Sequence, residues 1–162
     1  MICELASDEF SAILNVINTA AAAYKGKIPN DRYKEPYMRE KELREEIQNG
    51  VKFYGLKEND VFIAVMGIQP LEDVTLIRHA YVTSNRRRQG IGEHLLHHLL
   101  HLAKTSTILV GTWEAATWAV RFYQKHGFRL VSSEEKNYLL KRYWRIPERQ
   151  VETSVVLKLE RQ

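Results

Sequence analysis

The sequence predicts an α+β fold in which one mixed, mostly antiparallel central sheet is flanked by helices. Three observations lead there. Strand-like segments follow one another closely between residues 51 and 82, as in an antiparallel meander. A basic, glycine-containing loop then leads into a leucine-rich helix and a short strand, the order of a right-handed crossover. Apolar residues alternate again near the end of the chain, over 151–159. The 162 residues suit one domain, read as 1–162, large enough to bury a core without disulfide or metal.

In order, Phe10, Ile13, Leu14, Ile17 and Ala21 recur at helical intervals within a predicted helix from Ser7 to Tyr24, with Ser7 or Asp8 as its cap. Pro29, Asn30, Asp31 and Pro36 punctuate the following stretch. Its tyrosines, Tyr24, Tyr33 and Tyr37, suit either a ligand cleft or the edge of an apolar core. A second helix is expected over Met38 to Gln48, stopped by Asn49-Gly50. Strands are expected over Val51 to Leu56, Asp60 to Ile68 and Val74 to Val82. Leu95, Leu96, Leu99, Leu100 and Ala103 give the next helix a broad apolar face, and Thr107 to Gly111 forms a strand behind it. Glu114 to His126 reads as a helix ended by Gly127, Phe128 to Ser132 as the start of a strand, and Val151 to Leu159 as the terminal strand. The segment 136–150 receives no element.

Composition narrows the class. With 44% hydrophobic and 27% charged residues and four prolines, the chain is neither disordered nor collagen-like. It contains no run of roughly 18 apolar residues, and MICELASDEF lacks the basic and apolar regions of a secretory signal. A cytoplasmic protein without membrane association is expected. The single cysteine, Cys3, allows no intrachain disulfide. A net charge of +4 favours an anionic partner.

The loop SNRRRQGIG supplies chemistry for such a partner. Gly90 and Gly92 permit close backbone approach, the amides opening the next helix can face an anion, and Arg86, Arg87 and Arg88 add positive charge. A diphosphate fits this arrangement; a tight turn carrying solvated arginines is the structural alternative. The loop has neither the lysine–hydroxyl pair of a nucleotide-triphosphate motif nor the third glycine of a dinucleotide motif.

Arg87-Arg88-Gln89-Gly90-Ile91-Gly92 resembles the acetyl-coenzyme A binding motif of the Gcn5-related N-acetyltransferase (GNAT) superfamily. The preceding His79-Ala80-Tyr81-Val82, and the later Ala119 to Phe128, resemble that family's donor-binding strand and second helix. The resemblance implies a sheet split between the strands ending at Val82 and beginning at Thr107, with acetyl-coenzyme A as cosubstrate in the cleft. Backbone groups of Ala80, Tyr81 and Val82 would bind the pantetheine arm, with the Val82 amide facing the reacting carbonyl oxygen. Arg87 would open the donor-binding motif, the amides from Arg88 through Gln89, Gly90, Ile91 and Gly92 to Glu93 would hold the pyrophosphate, and Arg86 or Arg88 would reach the more distal phosphate. Tyr123 would be the general acid that protonates the departing thiolate; packing beside Phe122 and Phe128 is its alternative role. Family members often carry asparagine where this chain has Ala116.

The base is left open among Glu35, Glu40, His79 and Glu114, with a water relay as a further choice. The acceptor would be a primary amine of a small molecule or protein, attacking directly in a ternary complex; Asp31, Glu35 and Glu40 would suit a cationic one. An acyl-coenzyme A sensor without catalysis, or a basic interaction module, is the alternative function. His94, His97, His98 and His101 include pairs four apart, yet no cysteine or HExxH pattern joins them, and no metal is expected. The basic aromatic stretch Arg142, Tyr143, Trp144, Arg145 and Arg149 reads as a substrate wall, dimer face or packed extension more readily than as a nucleic-acid surface. Homodimerisation is common in the resembling family.

Overall fold

The structure, a computed structural model, describes residues 1–83, 86 and 89–162. One seven-stranded sheet organises it, from β1 (Ile2–Glu4), β2 (Lys52–Glu58), β3 (Val61–Pro70), β4 (Thr75–Val82), β5 (Thr107–Trp113), β6 (Arg129–Leu130) and β7 (Ser154–Glu160). Their spatial order is β1-β2-β3-β4-β5-β7-β6. Every pair is antiparallel except β4 and β5, the two strands joined by the crossover. The helices are α1 (Phe10–Ala21), α2 (Glu40–Gln48), α3 (Ile91–Leu102), α4 (Thr117–Lys125), α5 (Ser133–Tyr143) and α6 (Glu148–Glu152). No helix among the described residues is long and apolar enough to cross a membrane.

Successive side chains of a strand point to opposite faces, so one sheet builds two cores. On one face Ile77, Ile108, Val110 and Leu157 meet Leu95, Leu96 and Leu99 of α3. On the other, Phe53 and Val65 lie under α1 and α2, whereas Leu76, Leu109 and Val156 lie under α5 and α6. The carbonyl end of α3 is held by Arg161, whose guanidinium donates to Leu100 O at 2.6 Å and Ala103 O at 2.5 Å. Leu99 is fully buried in the α3 core. Leu99→Ala is therefore expected to lower unfolding free energy by about 3 kcal/mol, read as a shifted urea midpoint with an unchanged slope.

Several boundaries differ from the sequence expectation. The first helix is shorter, because single 3₁₀ turns occupy Ser7–Glu9 and Ala22–Tyr24. Neither Ser7 nor Asp8 caps it; the Glu9 carboxylate instead accepts from Ala6 N at 3.0 Å. Residues 114–116 form a turn before α4, and the terminal strand begins at Ser154 because Val151 belongs to α6. The unassigned segment holds most of α5, with Lys136, Leu139 and Leu140 buried at helical spacing, and the start of α6. Lys136 satisfies its ammonium by donating to Val151 O at 2.8 Å, which ties α5 to α6.

Candidate active site

The parallel ladder between β4 and β5 is short. It pairs Thr75 with Ile108, Leu76 with Leu109 and Ile77 with Val110, and then stops. Beyond that point β4 stays with β3 as far as Val82, while β5 stays with β7 as far as Trp113. The two strands separate into a cleft whose walls include Ala80 and Tyr81 on one side and Gly111, Thr112 and Trp113 on the other.

A bulge sharpens this split. The β3–β4 register slips by one between Val65–Tyr81 and Gly67–Arg78, and His79 takes a left-handed backbone with φ of 53°. Past the bulge, Thr83 N donates to Ile63 O at 2.9 Å on β3. Amide direction alternates along a strand, so Val82 N–H faces the opposite side, where β5 has departed. The Thr83 hydroxyl is buried there without a partner among the described residues.

The start of α3 adds further open amides. Gly90 is its N-cap with φ of 77° and ψ of 6°, a conformation that favours glycine. The first intrahelical bond runs from His94 N to Gly90 O at 3.0 Å, leaving Ile91, Gly92 and Glu93 N–H without intrahelical acceptors. Gly92 sits against the Phe122 ring of α4: an added Cβ would lie 3.4 Å from Phe122 Cζ and 3.9 Å from Val82 Cγ2. Open amides at a helix N-terminus suit an anion such as a diphosphate.

Tyr123 enters the cleft from α4. Its ring is wedged between Phe122 and Phe128, with centroids 5.1 and 5.5 Å away, and the residue is 4% exposed. Burial pushes its phenol far above the ordinary tyrosine value, so it holds its proton at neutral pH. Opposite lies an aromatic wall. Tyr24 packs on Tyr37 at 5.3 Å and stacks on Trp118 at 6.0 Å, and Trp113 Nε1 donates to Tyr37 Oη at 2.7 Å.

Against this geometry, the family model described as an acetyltransferase (GNAT) domain matches residues 18–140, well over half the chain. The protein belongs to the GNAT acetyltransferase family. A comparison with curated proteins finds no match. Among solved structures, a GNAT-family acetyltransferase from Staphylococcus aureus has a TM-score of 0.74 at 16% identity, covering 100% of this chain and 99% of its own. The PaiA N-acetyltransferase of Thermoplasma acidophilum, in complex with coenzyme A, has a TM-score of 0.74 at 13% identity, with 99% and 98% covered. A GNAT-family acetyltransferase of Elizabethkingia anophelis, with acetyl-CoA bound, has a TM-score of 0.64 at 23% identity, with 99% and 97% covered. These similarities show the GNAT fold.

Within the GNAT framework the candidate bases occupy different environments. Glu40 pairs with Arg44 on the exposed side of α2. Glu35 faces Lys25 at 4.0 Å and accepts from Tyr33 Oη at 3.3 Å, both at the surface. Glu114 is exposed just past β5. His79 alone of the four lines the cleft. Its imidazole stacks near Phe53, with centroids 6.0 Å apart, and its buried Nε2 is 3.5 Å from Glu46 Oε2 without an aligned hydrogen bond. The attraction that Asp31, Glu35 and Glu40 would offer a cationic acceptor is offset locally: Asp31 is bound by Arg149 at 2.9 Å, and Glu35 and Glu40 face their own cations.

Sequence reading missed Glu46. It lies on α2, distant in sequence from Arg78 and His79, and only the fold brings them together. Arg78 Nη1 is 3.1 Å from Glu46 Oε2 and also donates to Gln69 Oε1 at 3.2 Å. Burial raises the Glu46 pKa, but His79 and Arg78 outweigh it and hold the carboxyl below its usual value. Such a carboxylate adds stability above the unfolded value, about pH 4.3, and loses it as pH falls through the lower folded value. Glu46→Gln is expected to reduce stability at neutral pH, and urea denaturation should show the gap from wild type closing below about pH 4.

In the loop before α3, Arg86 donates from Nη2 to Glu58 Oε2 at 2.6 Å and from Nε to Gln89 Oε1 at 2.9 Å. It is therefore committed to the β2–β3 turn and Gln89 rather than extended toward a distal phosphate. The expected roles of Arg87 and Arg88 fall on positions outside the described residues. Ala116 is fully buried at the N-cap of α4 and offers no side-chain contact to a ligand.

Proposed function

We propose that this protein transfers an acetyl group from acetyl-coenzyme A to a primary amine of a small molecule or protein, by direct attack in a ternary complex. The observation that carries this reading is the parting of β4 and β5 after Ile77 and Val110 beside the open amides of α3. The residues present fit the donor. Ala80, Tyr81 and Val82 offer a free strand edge for the pantetheine arm, and the helix-start amides of Ile91, Gly92 and Glu93, with Gln89 and Gly90, face the pyrophosphate. Arg87 and Arg88 remain proposed phosphate contacts.

In the reaction, the neutral amine adds to the thioester carbon while Val82 N–H stabilises the oxygen as it gains negative charge. His79, with Glu46 beside it, accepts the proton released from nitrogen. The carbon–sulfur bond then breaks and Tyr123 gives its proton to the leaving thiolate, forming an amide and free coenzyme A. Tyr123 stays protonated until needed because burial disfavours its anion. The aromatic wall of Tyr24, Tyr37 and Trp113 would hold the amine-bearing part of the acceptor through its apolar or cationic surface.

A panel of primary amines incubated with acetyl-coenzyme A, followed by thiol release and product mass, tests the proposal. An acetylated amine formed with stoichiometric coenzyme A is expected. Calorimetric binding of acetyl-coenzyme A without turnover of any amine class would favour a sensor instead.

A further inference from the structure

We propose that Glu93, His97 and His126 form a site for a divalent transition metal, zinc by ligand chemistry, bridging the first two turns of α3 to the end of α4. The four histidines of α3 do not act as a single cluster. His98 packs toward the sheet, its ring 5.5 Å from that of Tyr54 on β2. His97 instead turns to α4, where its ring meets His126 with centroids 5.4 Å apart and planes at 90°. Glu93 precedes His97 by one helical turn, so both share a helix face. One ligand atom from each of Glu93, His97 and His126 lies within 4.8 Å of the others.

A tetrahedral zinc shell, with bonds of about 2.0–2.2 Å, requires ligand atoms roughly 3.3–3.6 Å apart. Closing from the observed spacing takes side-chain movement on the order of 1 Å, and His97 is exposed and able to provide it. His126 is the better-anchored ligand, with its ring packed 4.9 Å from Phe122. It also stands at the C-cap of α4, where the helix's outward carbonyls favour a cation. Among the described residues no lysine or arginine forms an ion pair with Glu93. The opposing charge is Lys125, which acts on His126 from the preceding position. Two imidazoles and one carboxylate form a zinc-type donor set with a fourth position for water, whereas magnesium and calcium favour oxygen ligands.

The test uses untagged protein stripped with a chelator, titrated calorimetrically with zinc chloride and separately with magnesium chloride, without any coenzyme. One equivalent of zinc should bind, magnesium should not, and zinc should raise the thermal midpoint. His97→Ala and His126→Gln should each weaken zinc binding at least tenfold and remove the midpoint rise. His94→Ala should retain both effects, and circular dichroism checks that each variant is folded. The proposal is overturned if zinc does not bind, if binding survives both His97→Ala and His126→Gln, or if His101→Ala abolishes it, which would place the ion on an α3 histidine pair instead.

Discussion

Replacing Tyr123 with phenylalanine should lower kcat by on the order of 10²-fold or more while leaving acetyl-coenzyme A binding unchanged, the loss associated with a missing general acid. The substitution removes one oxygen from a ring held by Phe122 and Phe128, so the packing that orients α4 survives. Steady-state kinetics with a reactive amine, beside calorimetric donor binding, separates the two effects. A kcat within twofold of wild type would leave Tyr123 as a core ring and assign thiolate protonation to solvent.

The second large effect belongs to Gly92. Its missing side chain leaves a gap bounded by Phe122 at 3.4 Å and Val82 at 3.9 Å, enough for a methyl group in ordinary contact but not for a branched chain. Gly92→Leu must displace Phe122 or fill the space in front of the helix-start amides. Losing one hydrogen bond to a charged group costs about 1.5–3 kcal/mol, so acetyl-coenzyme A affinity should fall at least tenfold and approach 100-fold. Gly92→Ala should bind nearly as wild type. Equal affinity of the leucine variant, with a native unfolding midpoint, would remove the phosphate site from the start of α3.

Much of this architecture was legible in the residues. The meander, the glycine loop and the leucines of α3 each carry a strong local pattern, and together they required the one parallel pair that creates the cleft. Local pattern failed where a tertiary contact decides the structure. The apolar stripe of α5 was hidden because Lys136 stands where a leucine would announce it, and its burial depends on the Val151 carbonyl of another helix. β1 and β6, with three and two residues, are too short for alternation to be read. The left-handed turn at His79 carries no glycine to mark it, and Glu46 reaches that bulge only because α2 lies against the same face. Tyr123 is a candidate through the family-like helix around it, whereas the partners that distinguish His79 from the three other candidate bases appear only in the fold.

The brevity of the β4–β5 ladder has a further consequence. With three paired positions joining the halves of the sheet, much of the fastening falls to Leu95, Leu96 and Leu99, which lie over residues from both strands. The helix whose amides are proposed to hold the donor is thus also the clasp of the molecule. The aromatic wall, by contrast, is supplied largely by Tyr24 and Tyr37, in the stretch between α1 and α2 and outside that clasp. Under the proposed function, acceptor preference and donor capture fall on separate stretches of chain, so an altered acceptor can be sought by recasting the Tyr24–Tyr37 stretch while the fastening beneath it is left untouched.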